Sequence, residues 1–384
     1  MERAFFTILG AAILFFVIDD IYVTILQARG KSGPVSELVY RAIWRITRSI
    51  AFKLSRSRRH KLLNSVGPIL MPMLVGVSIM LVIIGYALIY LPGMPERFNF
   101  AGEAPGSRFV DSLYFSGATL TTVGYGDVSP RAADMKVVAI IEAISGFGLI
   151  SLAVTYLIVV YSALEHKRAI ALSFYHSAEG GADVVDFIKH HFVAGRLSGL
   201  TATLRIAGRD LQETFESHVE HPIIHYFHPV QVYKGMPRVL FLSLEICAVI
   251  KSCLDQQEYS DLYEHPAVLT MESSSLHVLN ELSAHLDIVK RKDNSFETRP
   301  EEMRRWRTRY EQTLRRLDEA GIKTQPDTAR GWEIYQAKRV EWERQLFHFA
   351  HYLGYDWDEV TGDRDLEYAA NEEMEEPHLD NSKS

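Results

Sequence analysis

Residues 111–130 read DSLYFSGATLTTVGYGDVSP, and this stretch decides the fold. Phe109 to Leu120 can form a short helix, too short to cross a bilayer, which takes about 20 helical residues. Gly124 and Gly126 then alternate with Val123 and Tyr125. Successive backbone carbonyls can face one axis only if backbone handedness alternates, and glycine supplies the positive φ angles at low steric cost. A segment that enters and leaves on the same side at membrane depth must be buried in protein or line water.

Working outward, two membrane-length apolar runs flank this stretch, Pro68 to Leu91 and Met135 to Leu164, and a third runs from Phe5 to Leu26. A signal peptide is the rival reading of the third. It fits poorly, because there is no small-residue cleavage site and Asp19 and Asp20 interrupt the run. Between the first two runs along the chain, Arg or Lys stands at 29, 31, 41, 45, 48, 53, 56, 58, 59 and 61, against the single acid Glu37. The loop after Leu91 is balanced, with Glu96 and Glu103 against Arg97 and Arg108. The positive-inside bias therefore predicts residues 29–66 in the cytoplasm, an external N-terminus and a cytoplasmic C-terminus. His166, Lys167 and Arg168 follow the third run on its inner side.

Leu38, Ala42, Ile46, Ile50 and Leu54 recur every four residues, with Arg41, Arg45, Arg48 and Lys53 on other faces. That pattern predicts an amphipathic helix on the inner membrane surface, its cations near anionic lipid. A voltage sensor is the sharper alternative, but its charged helix needs partner helices within the membrane, and this chain has too few spans.

Thr122-Val123-Gly124-Tyr125-Gly126, followed by Asp127, is the filter sequence of the tetrameric potassium channels, and residues 68–164 resemble their pore region. The resemblance implies a homotetramer in which the carbonyls of Thr122, Val123, Gly124 and Tyr125, with Gly126, bind the transported potassium ions. It implies filter support from Asp127, Tyr114, Thr119 and Glu142. It also makes the third span the pore-lining inner helix, with Gly146 and Gly148 at hinge positions. Close helix packing is the plainer reading of both glycines. Ala118 stands where some family members carry a pore-helix glutamate, whereas Glu142 lies in the inner helix, roughly 12 Å below its outer end at 1.5 Å per residue. The expectation is that Glu142 braces the filter through Thr119 or Tyr114; a carboxyl hydrogen-bonded within its own helix bundle is the plainer reading.

More broadly, the layout resembles bacterial potassium channel-family proteins with an additional first helix. Asp19 or Asp20 ahead of Thr24, the run Glu142 to Gly148, Glu216 to His218 and Pro222 to Phe227 carry that likeness. It implies a bacterial inner-membrane location.

The fold class expected is an all-α membrane protein, with three transmembrane helices, a re-entrant pore helix and filter, and a helical cytoplasmic domain. The domains expected are a first transmembrane helix (1–28), a basic linker (29–66), the pore domain (67–164), a helical cytoplasmic domain (165–361) and an acidic, disordered tail (362–384). Within the cytoplasmic part, helices are expected at 183–194, 198–218, 238–254, 269–290, 300–320 and 328–352. Val239 to Ile250 is apolar but short and holds Glu245, so it reads as a buried core helix and not a fourth span. The two cysteines, Cys247 and Cys253, lack metal spacing and read as reduced structural thiols. His218, His221, His225 and His228 invite a metal or pH-sensor reading, but Pro222 and Pro229 break the helix that would align them, which favours packing.

The formal charge of −7 gives no reason to expect a nucleic-acid partner. There is no GxGxxG nucleotide motif and no nucleophile–base arrangement, so neither a cofactor nor an enzyme activity is expected. The functional expectation is passive potassium conduction, gated at the inner helix and modulated by the cytoplasmic domain. The rivals are a sensor or scaffold with a vestigial pore, and a subunit of an active transporter, which would call for several pore repeats.

Overall fold

The computed structural model describes residues 2–27, 32–102, 107–178, 183–286, 288 and 300–362. The chain is an all-α membrane protein. Three of its helical segments, within Arg3–Leu26, Arg56–Gly93 and Ala133–Ser177, are long and apolar enough to cross a membrane. The chain divides into two units. The first comprises residues 1–49, 65–162 and 219–227, and the second 50–64, 163–218 and 228–384.

In the first unit, α1 (Glu2–Ile21) continues as a π-helical turn, Tyr22–Leu26. It is followed by α2 (Pro34–Ala51), most of which lies in this unit. The short α3 (Arg56–Asn64) belongs to the second unit, and α4 (Val66–Tyr90) returns to the first. Glycines let α1 lie close on α4: a Cβ on Gly10 would stand 2.4 Å from the Gly85 carbonyl oxygen. After α4 the chain forms β1 (Phe98–Phe100), the re-entrant helix α5 (Arg108–Leu120) and β2 (Val128–Pro130). It then enters α6 (Ala133–Ser177), which runs on well past Leu164. β1 and β2 pair antiparallel, Asn99 opposite Ser129. Beneath them Tyr90, Phe98 and Phe115 pack edge to face, with ring centroids 5.0–5.7 Å apart. Such aromatic burial fixes α5 against α4 before any partner is considered.

The apolar stripe of α2 (Leu38, Ile46 and Ile50) is exposed, whereas Tyr40 and Trp44 on its other side are buried. Asp20 explains how α2 is held. Its buried carboxylate accepts hydrogen bonds from the Val35 and Ser36 amides (2.7 and 3.1 Å) and from the Ser36 hydroxyl (2.6 Å). It thus satisfies N-terminal donors of α2 from a neighbouring helix, with its charge at the positive end of the helix dipole. Asp19 beside it is exposed.

The second unit is helical apart from a small hairpin, β3 (Phe192–Val193) with β4 (Arg196–Leu197). Its helices are α7 (Val184–His190), α8 (Leu200–Glu220), α9 (Met236–Ser252), α10 (Ser260–Tyr263), α11 (Pro266–His285), α12 (Pro300–Glu319), α13 (Thr328–Tyr352) and α14 (Trp357–Thr361). The expected helices therefore form: α13 has the bounds expected, α8 and α9 are shifted by two residues, and α7, α11 and α12 are shorter. In α9 every residue is buried except the half-buried Lys251, so it is a core helix. Its one buried acid, Glu245, accepts from Tyr335 Oη (2.5 Å) and Arg339 Nη1 (2.6 Å). Both cysteines are free and buried, and burial pushes their thiols up to about 12, leaving them unreactive. Beyond Gly362, the acidic tail lies outside the described residues.

The four histidines disperse. His218 is buried in α8 of the second unit, its Nδ1 2.8 Å from the Thr214 carbonyl. His221 and His225 belong to the first unit, and His228 to the second. No cluster of His, Cys, Asp or Glu fit to hold a metal occurs among the described residues.

Candidate functional site

The turn after α5 is built by its own backbone. The amide of Thr122 donates to the Thr119 carbonyl (3.0 Å), and those of Val123 and Gly124 both donate to the Ala118 carbonyl (3.0 and 3.2 Å). In a planar trans peptide the N–H of one residue opposes the C=O of the residue before it. With the amides of 122–124 tied back to α5, the carbonyls of Thr121, Thr122 and Val123 point away from it. The backbone is left-handed at Thr122 (φ 58°), Gly124 (φ 57°) and Gly126 (φ 80°), but not at Val123 or Tyr125. Handedness thus alternates residue by residue. Thr122 takes a conformation that resists a Cβ, a strain of about 1–2 kcal/mol. Sequence reasoning assigned positive φ to the two glycines alone.

The outer end of the turn is anchored to α5. Tyr114 Oη donates to Asp127 Oδ2 (2.7 Å), and the Tyr114 and Tyr125 rings stack 6.3 Å apart at 6°. The Ala101 amide donates to the Asp127 carbonyl (2.8 Å), extending the β1–β2 pairing toward the turn. Arg97 Nη2 bonds Asp134 at the start of α6.

Glu142 is fully buried, but its partners differ from those expected. Ser116 Oγ donates to Glu142 Oε1 (2.5 Å) and Tyr90 Oη donates to Glu142 Oε2 (2.8 Å). One carboxylate therefore joins α4, α5 and α6, and neither Thr119 nor Tyr114 takes part. Thr119 meets the turn through its carbonyl only. Ser116 and Tyr90 were missed because hydroxyls on apolar helices look alike until the helices' rotations are known. Ser116 also lies 2.9 Å from the Ile83 carbonyl, a second acceptor for its single proton.

The two hinge candidates part company. A Cβ on Gly146 would stand 2.0 Å from the Leu120 carbonyl oxygen, so its role here is the close approach of α6 to the end of α5. Gly148 has nothing near its Cβ position. Residues 121–127 are exposed in the single chain, Val123 and Tyr125 by 52% and 71%.

A segment from far along the chain also belongs to this unit. The 3₁₀ turn Pro222–Tyr226 and Phe227 pack on its helices. Tyr226 lies against Tyr40 and Trp44 of α2, with centroids 5.7 and 5.5 Å away. Phe227 meets Tyr161 of α6 and fills the place where a Gly67 side chain would be. His221 meets Tyr156 of α6 at 5.6 Å.

Residues 76–163 match the family model described as ion channel. The chain is 30% identical over 216 residues to the protein named "Uncharacterized membrane protein YdjJ" of Bacillus subtilis (strain 168), covering 56% of this chain and 60% of that protein. It is 35% identical over 80 residues to "Protein LctB" of Geobacillus stearothermophilus, covering 19% of this chain and 59% of that protein. The matches thus span about three-fifths of each relative's length. No solved structure matches the chain. The chain is a multi-pass membrane protein, and its residues 76–163 are similar to the ion channel family.

Proposed function

We propose that the chain is a subunit of a homotetrameric, potassium-selective channel in a bacterial inner membrane, with its N-terminus outside and its C-terminus in the cytoplasm. The observation that carries this reading is the alternating backbone of 122–126 with the carbonyls of 121–123 turned away from α5. One chain supplies one strand of oxygen ligands, and a closed ring around an axis needs four. In that ring the carbonyls of Thr122, Val123, Gly124 and Tyr125 replace the hydration shell of potassium, the transported ion. Gly126 completes the alternation, and Tyr114, Asp127, Thr119 and Glu142 hold the strand in place.

Conduction is passive in this reading, since one pore repeat is visible where an active transporter would call for several. The inner helix α6 gates it, with bending at Gly148 and not at the closely packed Gly146, and the cytoplasmic helices modulate it. The exposed apolar stripe of α2 lies on the inner leaflet, its arginines toward anionic lipid.

The test is flux through purified protein in vesicles. Wild-type protein should pass potassium and exclude sodium. Gly124→Ala, which adds a Cβ at a left-handed residue, should lose conduction or selectivity while the assembly keeps its size. Equal potassium and sodium flux in the wild type would refute the assignment.

A further inference from the structure

Between α1, α4 and α6 of the first unit lies a cavity of about 430 Å³, within the range of small-molecule sites. Its walls are apolar, with Leu74, Ile79, Leu149 and Val154 among them. Gly76 of α4 borders it, and a Cβ there would meet nothing within 4 Å. Ile150 and Val154 on the α6 side are 48% and 54% exposed, so the cavity opens sideways, where hydrocarbon lies. Thr24 at its floor belongs to the π-helical turn that ends α1, a distortion frequent at functional sites.

The polar groups of the cavity decide what it can hold. Thr24 Oγ1 donates to Ser36 Oγ (3.0 Å), Ser36 Oγ to Asp20 Oδ2 (2.6 Å) and Ser78 Oγ to the Leu74 carbonyl (3.0 Å). Their protons are all engaged, and the Asp20 carboxylate adds negative charge. An anionic headgroup finds no donor at that floor, whereas an alkyl chain needs none. Tyr156 differs. It is 4% exposed and lines the cavity, and its hydroxyl has that of Tyr40 as polar neighbour. Neither hydroxyl bonds any other group among the described residues. Two hydroxyls facing each other use one proton between them, so one proton is left without an acceptor, at a cost. An acceptor in the cavity removes that cost: Tyr40 then donates to Tyr156, and Tyr156 to the ligand. Tyr156 stands about 35 Å along α6 from Ala133, at 1.5 Å per residue. That is beyond a hydrocarbon core of about 30 Å, at the level where lipid ester groups lie.

We propose that the cavity is a binding site for one phospholipid of the leaflet on the α2 side. One acyl chain fills the space beside Gly76, and its ester carbonyl accepts the Tyr156 hydroxyl proton. The site rests on the chain spanning a bilayer and not on conduction, so lipid held by protein that passes no ion still supports it.

The test titrates full-length protein in a nonionic detergent with dioleoylphosphatidylglycerol, and with its dialkyl ether analogue, which lacks the ester carbonyls. Native mass spectrometry counts the lipid retained. Wild-type protein should hold one lipid per chain, the ester form several-fold more tightly than the ether. Gly76→Leu fills the cavity and should lose that lipid. Tyr156→Phe leaves the cavity open and should bind both forms alike, as weakly as the wild type binds the ether. Equal retention by the wild type and Gly76→Leu overturns the site. So does a wild type that retains no lipid, the result expected where a neighbouring copy fills the cavity. Equal binding of ester and ether by the wild type, or an ester preference that survives in Tyr156→Phe, overturns the proposal without recourse to the glycine variant.

Discussion

A carboxyl group at bilayer depth persists only where donors surround it, and Glu142 has two, from Tyr90 and Ser116. Glu142→Ala orphans the Tyr90 hydroxyl, leaves Ser116 with the Ile83 carbonyl alone and opens a gap, so stability should fall by roughly 2–4 kcal/mol. Glu142→Gln should stay within about 1 kcal/mol, because an amide can donate to Ser116 and free its proton for the Ile83 carbonyl. Thermal unfolding in detergent checks both, and single-channel recording should show shortened openings in the alanine variant alone. If the two variants unfold alike, the carboxyl packs without bracing. That Glu142 stands inside the third apolar run was legible from the sequence alone. Its partners were not, because they depend on how α4 and α5 are rotated about their axes. Likewise the spacing at Gly146 and Gly148 was legible, but only packing against Leu120 separates a contact glycine from a free one.

At the scale of elements, α2 and the 222–227 turn are the informative pieces. The amphipathic period of α2 could be read directly, since a four-residue repeat of apolar side chains is a local property. Its tether could not, because a cap supplied by Asp20 from another helix has no local signature. Asp20→Ala removes the acceptor for the Val35 and Ser36 amides, and their hydrogen exchange should rise by about fivefold, the equivalent of a lost cap near 1 kcal/mol. Asp19→Ala, at an exposed position, should leave it unchanged. Equal effects of the two substitutions would contradict the assignment of Asp20 as the cap. Pro222 to Phe227 stood out as a motif without a role. Its role is long-range packing on Tyr40, Trp44, Tyr161 and Gly67, which no periodicity encodes.

At the scale of the molecule, the apolar windows of α1 and α6 are only 17% buried within the chain. Ile140, Ile144, Phe147 and Ile158 of α6 are exposed, and so is the whole turn at 121–127. Lipid can cover apolar side chains, but it cannot satisfy bare carbonyls. The turn therefore calls for polar company that one chain does not provide, which the proposed ring of four chains around dehydrated potassium ions would supply. The membrane class was legible because three long apolar runs are unmistakable. The second unit was legible as helices, yet not as an arrangement, since its buried Glu245–Arg339 core joins residues far apart in sequence. The central claim is selectivity at residues 122–126. The most direct test is the reversal potential of the reconstituted protein, with potassium on one side of a planar bilayer and sodium on the other. The account predicts reversal far from zero, in the sense set by potassium permeability. Reversal near zero, with sodium carrying comparable current, would contradict it.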